Sequence, residues 1–399
     1  MAYDVARIRG SIPSLGDGWI HLDPRAGMQI PDAVSRTVST AFRNAAASST
    51  GRHLSSRRSA AILEEARIGI ADLVGADPAG VVLGPSRAVL LAWLAEALSS
   101  RLGLGTGMVL SRLDDEANIA PWLRVASRYG AQVRWAEVEI ETCDLPTWQY
   151  EELITPTTRL VALTAASSIV GTAPDVRAVA DLVHEVGGLM VVDAAGAAPY
   201  AHIDIADLGA DVLTVDAAMW GGPQIGALVF ADPAHLERVP TMALNPHARG
   251  AERLEVGGHQ FGLLAGIPAS IDFLASLDDS ATGTRRERLE ISISAMQNHQ
   301  DVLFDRLMRH LDSLTGVIVL GRASSRVPTL SFTVDGVPAE KVAAQLADRR
   351  IATVASTRGS SRLLDSLGVS DEGGAVSVGL APYTTGFEVD QLVRELRNL

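Results

Sequence analysis

One lysine, Lys341, and one cysteine, Cys143, occur in the 399 residues. The single cysteine excludes an intrachain disulfide and any cysteine-built metal centre. Positive charge is scarce too: the net charge is −13, which argues against a nucleic-acid surface, because phosphate contact needs concentrated positive charge. No apolar run reaches the roughly 18–20 residues that cross a bilayer. Met1-Ala2-Tyr3-Asp4 lacks the basic start and apolar stretch of a secretory signal. A cytoplasmic protein with no membrane and no nucleic-acid partner is therefore expected. Apolar residues, in contrast, are plentiful: 47% of the chain is hydrophobic, ample for large cores in two or three structural units. All but one of the basic residues are arginine, which serves ion pairs and anion contacts but cannot act as an amine nucleophile. The lack of lysine matters only where a reaction needs one.

Over the first two-thirds of the chain, helical and strand patterns alternate. Apolar positions recur at helical spacing over 58–76, 87–101, 117–129 and 175–186. Between them lie short β-rich runs at 108–111, 133–138, 160–164, 189–193, 211–215 and 226–230. That alternation predicts βαβ units and a mostly parallel sheet covered on both faces. A long helix is predicted at 285–313. A compact α+β pattern follows, with strands at 317–320, 329–334, 351–354 and 375–379 and helices at 339–349 and 387–398. The stretch Ala45–Gly51 reads as a loop. The division expected is an N-terminal arm (1–30), a large α/β domain (31–284), and a linking helix with a small α+β domain (285–399).

Several stretches, in this order, resemble the class V aminotransferases, and within them the cysteine desulfurase-like branch. They are His21–Gly27, Val81–Ser86, Asp114–Trp122, Ala166–Thr172, Val191–Ala195, Gly222–Gly226, Arg253–Gly257 and Val378–Tyr383. The likeness spans nearly the whole chain. It implies the fold-type I architecture of pyridoxal-phosphate enzymes: a large domain with a mostly parallel seven-stranded type of sheet, and a small C-terminal α+β domain. It also implies pyridoxal 5′-phosphate as the family cofactor and a homodimer with the site at the subunit interface.

Carried over residue by residue, the resemblance makes Asp193, at the end of an apolar strand, the carboxylate that pairs with the cofactor's pyridine nitrogen. It makes the Gly84-Pro85-Ser86-Arg87 turn a phosphate site, with Ser86 offering a hydroxyl and Arg87 a positive charge. The same serine, read from the residues alone, is an ordinary helix N-cap. The departures fall together. Met219, or Ala218 if the alignment gaps by one, stands where the family keeps its imine-forming lysine. Asp216 stands where some members place a phosphate-binding serine, and a carboxylate about 4 Å from a phosphate is repelled by about 4 kcal/mol at an effective dielectric near 20. Asp115 replaces the histidine that stacks on the ring, Gly196 the residue at the ring hydroxyl, and Ser168 an asparagine near the substrate. Ser377 replaces the arginine that clamps the substrate carboxylate.

Cys143 lies far from the place of the family's mobile cysteine, where Ser356–Ser360 stands, and its acidic neighbours would raise the thiol pKa. His259, in a glycine turn, matches a loop that reaches the phosphate of the partner subunit. His21 and His202 read as structural or surface positions, and no metal site is expected. The pattern favours a homodimeric homologue that has lost lysine-dependent catalysis, a pseudoenzyme that binds a small-molecule ligand or a partner in the inherited crevice. Two other readings stand beside it. One is a working lyase or aminotransferase with a non-covalently held cofactor; the other is a scaffold or regulatory subunit with a filled pocket.

Overall fold

The computed structural model describes residues 3–45, 48–356 and 361–399, with the backbone alone at Glu372. Its centre is a seven-stranded sheet in the order Val81–Gly84, Gly226–Phe230, Val212–Asp216, Leu189–Asp193, Thr158–Thr164, Gly107–Ser111 and Gln132–Ala136. Gly226–Phe230 runs antiparallel to both neighbours, and the other pairings are parallel. These strands are apolar on both faces because helices cover both. Leu83, Val109, Leu163, Val192 and Val215 enter one core, while Val82, Met108, Ala162, Val191 and Leu228 enter the other. The mixed α/β architecture with a large, mostly parallel sheet is the one the resemblance implies.

Local chemistry sets the helix starts. Ser86, Asp175 and Thr284 each accept a backbone N–H at a helix N-terminus. Thr284 and Glu287 complete a capping box on the 28-residue helix Arg285–Asp312. That helix leads into a four-stranded antiparallel sheet ordered Val354–Ser356, Ala375–Gly379, Thr329–Val334 and Val317–Leu320, with a third core behind it.

Two details differ from the sequence reading. The stretch 351–354 is not one strand: Ile351–Ala352 pairs with Ile20–His21 of the N-terminal arm, and Val354–Ser356 joins the four-stranded sheet. Helices at Asp32–Asn44 and Gly266–Leu274 have no predicted counterpart. Of the Ala45–Gly51 loop, residues 46 and 47 lie outside the described residues.

Candidate functional site

Asp193 and Asp216 end neighbouring parallel strands, Asp115 follows the Gly107–Ser111 strand, Ser168 follows Thr158–Thr164, and Arg87 follows Val81–Gly84. All five therefore reach the carboxyl edge of the sheet, where α/β folds place their ligands. There they bind one another. Arg87 Nη1 donates to Asp193 Oδ2, and Arg87 Nη2 donates to Asp115 Oδ2 at 2.7 Å. The Ser168 hydroxyl lies 3.1 Å from Asp115 Oδ1. The remaining oxygen of Asp193 accepts the Ala195 N–H at 3.0 Å. The side chain of Asp193 is 3% exposed and that of Arg87 16%, so this is a largely dry guanidinium between two carboxylates.

Burial lowers the Arg87 pKa, but Asp193 and Asp115 outweigh it and hold the guanidinium charged. Burial raises the Asp115 carboxyl, yet Arg87, Arg25 and the hydrogen bond from Ser168 bring it below the usual carboxylate range. For Asp193 burial prevails over Arg87, and its pKa is raised. Asp216 is also raised by burial, against hydrogen bonds from the backbone N–H groups of Ala218 and Arg87 and the charge of Arg87.

Pyridoxal phosphate can be tested against these contacts. Its pyridine nitrogen would need Asp193, whose two oxygens are held by Arg87 and by the Ala195 N–H. Its phosphate would need the start of the Arg87–Leu98 helix. There the Ser86 hydroxyl caps the helix, accepting the Val89 N–H at 3.3 Å, and Asp216 takes the Arg87 N–H. Ser86 thus has the N-cap role, and Arg87 does face inward but gives its charge to Asp193 and Asp115 instead of a phosphate. The group does not fit the residues as they stand.

The other expected positions are occupied by structural roles. Met219 is half-buried against the main core, and the Ala218 carbonyl accepts the Met28 N–H at 3.1 Å. A Cβ on Gly196 would lie 2.2 Å from the Ala166 carbonyl oxygen, so a side chain there requires the backbone to move. Ser377 is buried and lies 2.7 Å from Ser331, which itself donates to the Ile169 carbonyl. Gly84 ends the first strand against Leu90. His259 bonds Glu255 at 3.0 Å, and Glu255 also accepts Arg67 Nη2 on both oxygens at 2.8 Å and the Leu83 N–H at 3.0 Å. Burial raises the Glu255 pKa, but the His259 hydrogen bond and the Arg67 charge bring it below the usual range. Together Gly84, Glu255 and His259 line a cavity of about 360 Å³ beside the crevice.

Cys143 is buried with φ +58, and its thiol is pushed up to about 11. Burial is the main cause, and the acidic neighbour Asp144 adds a smaller push in the same direction. Of Ser356–Ser360, residues 357–360 lie outside the described residues, while Ser356 bonds Arg25. Among the described residues, no three His, Cys, Asp or Glu side chains group as a metal site.

The Arg87–Asp193 pair escaped sequence reading. The strand-end position of Asp193 was legible, but nothing in one dimension matched it to an arginine 106 positions away. The one available signal was a cation in the first turn after the Val81–Gly84 strand, together with carboxylates at two strand ends and one in the turn after a third strand.

A family model described as Aminotransferase class-V matches residues 20–392. A Mycobacterium tuberculosis relative, "Uncharacterized protein MT3887", is 58% identical over the whole of both chains. "Aminotransferase-like protein FGM3" of Gibberella zeae is 30% identical, with 98% of this chain and 97% of that protein aligned. Among solved structures, the cysteine desulfurase CsdA of Escherichia coli superposes with a TM-score of 0.86 at 25% identity, covering 100% of this chain and 98% of that one.

Proposed function

This chain belongs to the class-V aminotransferase family, and we propose that within it the protein is a non-catalytic homologue. Its cofactor crevice is closed by its own side chains, and its role is to bind a ligand or a partner. The observation that carries this reading is the Arg87 guanidinium seated between Asp193 and Asp115. A cation on Asp193 is the electrostatic counterpart of a protonated pyridine, and Asp216 at the helix start is the counterpart of a phosphate. Both ends of a cofactor-sized site are thereby neutralised from within.

Lysine-dependent chemistry is further disfavoured because Met219 and Ala218 carry no amine, and Lys341 lies in the Ala339–Asp348 helix of the C-terminal unit. Without an arginine at Ser377, an amino-acid carboxylate also lacks its two-pronged partner. A homodimer in the cytoplasm completes the proposal. No helix among the described residues is long and apolar enough to cross a membrane.

The test is direct. Purified protein mixed with excess pyridoxal phosphate and then desalted is expected to keep no cofactor absorbance, whereas Arg87→Ala with Asp216→Ser and Met219→Lys is expected to retain some. Stoichiometric retention by the unaltered protein would overturn the reading and favour a working enzyme with an unlinked cofactor.

A further inference from the structure

At the opposite edge of the large sheet, where its parallel strands begin, two adjoining cavities of about 380 and 120 Å³ share Leu98, Arg101, Leu189 and His235. The walls between are apolar. Leu98 and Leu102 come from the end of the Arg87–Leu98 helix and the turn after it, and Leu160, Leu189 and Phe230 come from the sheet.

Three arginines line the space: Arg101, Arg159 and Arg238. Several surface arginines of this acidic chain pair with carboxylates, as in Arg177–Asp181, Arg306–Asp390 and Arg322–Asp312, while others, such as Arg124, bond only a backbone carbonyl. None of these three has a carboxylate partner among the described residues. Arg101 gives a single bond to the Arg238 carbonyl at 3.2 Å, and Arg159 bonds the Pro156 and Thr158 carbonyls through Nη1 alone. Most of their N–H donors remain free. Asp211, the acidic lining residue, uses one oxygen, Oδ2, to accept the Met190 N–H at 2.7 Å and to meet His184 at 3.1 Å.

We propose that this cavity binds a small amphipathic anion, an alkyl or aryl carboxylate. Its apolar body would lie on the leucine wall, with the carboxylate at the guanidinium rim. The combined space falls within the range of small-molecule sites, and a guanidinium fork matches a carboxylate in shape as well as charge. An amine with the same body would be repelled, and a neutral alcohol would leave the rim unused. The site lies across the sheet from Arg87 and Asp193, so its standing is independent of whether the crevice takes a cofactor.

Isothermal titration of the full chain with octanoate, 1-octanol and octylamine tests it. Octanoate is expected to bind saturably at one site per chain, 1-octanol more weakly, and octylamine not at all. Arg101→Gln with Arg159→Gln removes two exposed charges and should leave the melting temperature unchanged. It is expected to weaken octanoate by about tenfold, the combined effect of two exposed ion pairs. Absence of saturable octanoate binding, equal affinity for 1-octanol, or full octanoate affinity in the double variant would each overturn the assignment.

Discussion

At the scale of the residue, the site is a case of charges arranged to satisfy one another. Arg87 is surrounded by Asp193, Asp115 and Asp216, and next to Asp193 sits a further carboxyl, Asp114, which no arginine among the described residues pairs with. Asp114 is 2% exposed and receives the Ser111 hydroxyl at 2.6 Å and the Asn118 amide at 2.7 Å. Burial pushes its pKa up to about 8, against those hydrogen bonds and with a further push from Asp193. An unfolded aspartate ionises near about 3.9, so between that value and about 8 the folded chain holds a proton that the unfolded chain has released. Folding then binds more protons, and stability from this group falls as pH rises through the window, by at most about 1.4 kcal/mol per pH unit. Asp193 and Asp216, also raised, act in the same direction, while Asp115 and Glu255, both lowered, act in the opposite one. The clean measurement is therefore a difference. Asp114→Asn, neutral and of the same shape, should gain urea stability relative to the parent between about pH 5 and about pH 8. A constant offset across that range would mean that Asp114 stays ionised in the fold. The sequence showed Asp114 only as one of three adjacent acids; its burial depends on strands and helices far away in the chain.

At the scale of the element, alternation and helical periodicity were sufficient for most of the large sheet, because its strands are buried on both faces and its helices on one. The helix Asp32–Asn44 has Val34, Val38, Ala41 and Phe42 at helical spacing, a signal the sequence does carry, although only Val34 and Ala41 are buried in the fold. Strand pairing was not legible, and it is what packs the lone antiparallel strand Gly226–Phe230 against the helix that begins at Arg87. A Cβ on Gly226 would fall 2.2 Å from the Arg87 nitrogen and 2.3 Å from the Ser86 carbonyl carbon, both backbone atoms that cannot swing aside. Gly226→Ala is expected to cost about 3 kcal/mol or more, at the upper end of overpacking effects. It should also loosen the Arg87–Asp193 pair by displacing the first turn of that helix. Gly258→Ala, whose added Cβ meets nothing within 4 Å, is the control and should be close to neutral. Urea midpoints that drop equally for both would show that the contact at Gly226 is not tight.

At the scale of the whole molecule, one surface stands out from the acidic exterior. The helix Asp32–Asn44 forms one wall of an apolar groove of about 670 Å³, with Pro223 and Leu263 on the other side. Phe42 is 63% exposed on it and Ile30 46%. It is contiguous with the cavity at Glu255 and His259, since Gln224 and Leu263 line both. Contiguous exposed apolar surface of this kind usually marks an interface, and the family resemblance expects a second copy of the chain beside the crevice. If a second copy covers the groove, Phe42→Glu places a carboxylate in the middle of an apolar contact and should shift the protein from dimer to monomer in sedimentation velocity. Each copy carries a net charge of −13, so the run belongs near physiological salt, where the Debye length of about 8 Å limits repulsion between subunits. Phe387→Glu, altering an equally exposed aromatic in the C-terminal unit (67% exposed), separates a specific interface from a general effect of added charge. A dimer that survives Phe42→Glu would place the interface elsewhere, and a parent protein that sediments as a monomer would remove the homodimer from the proposed function.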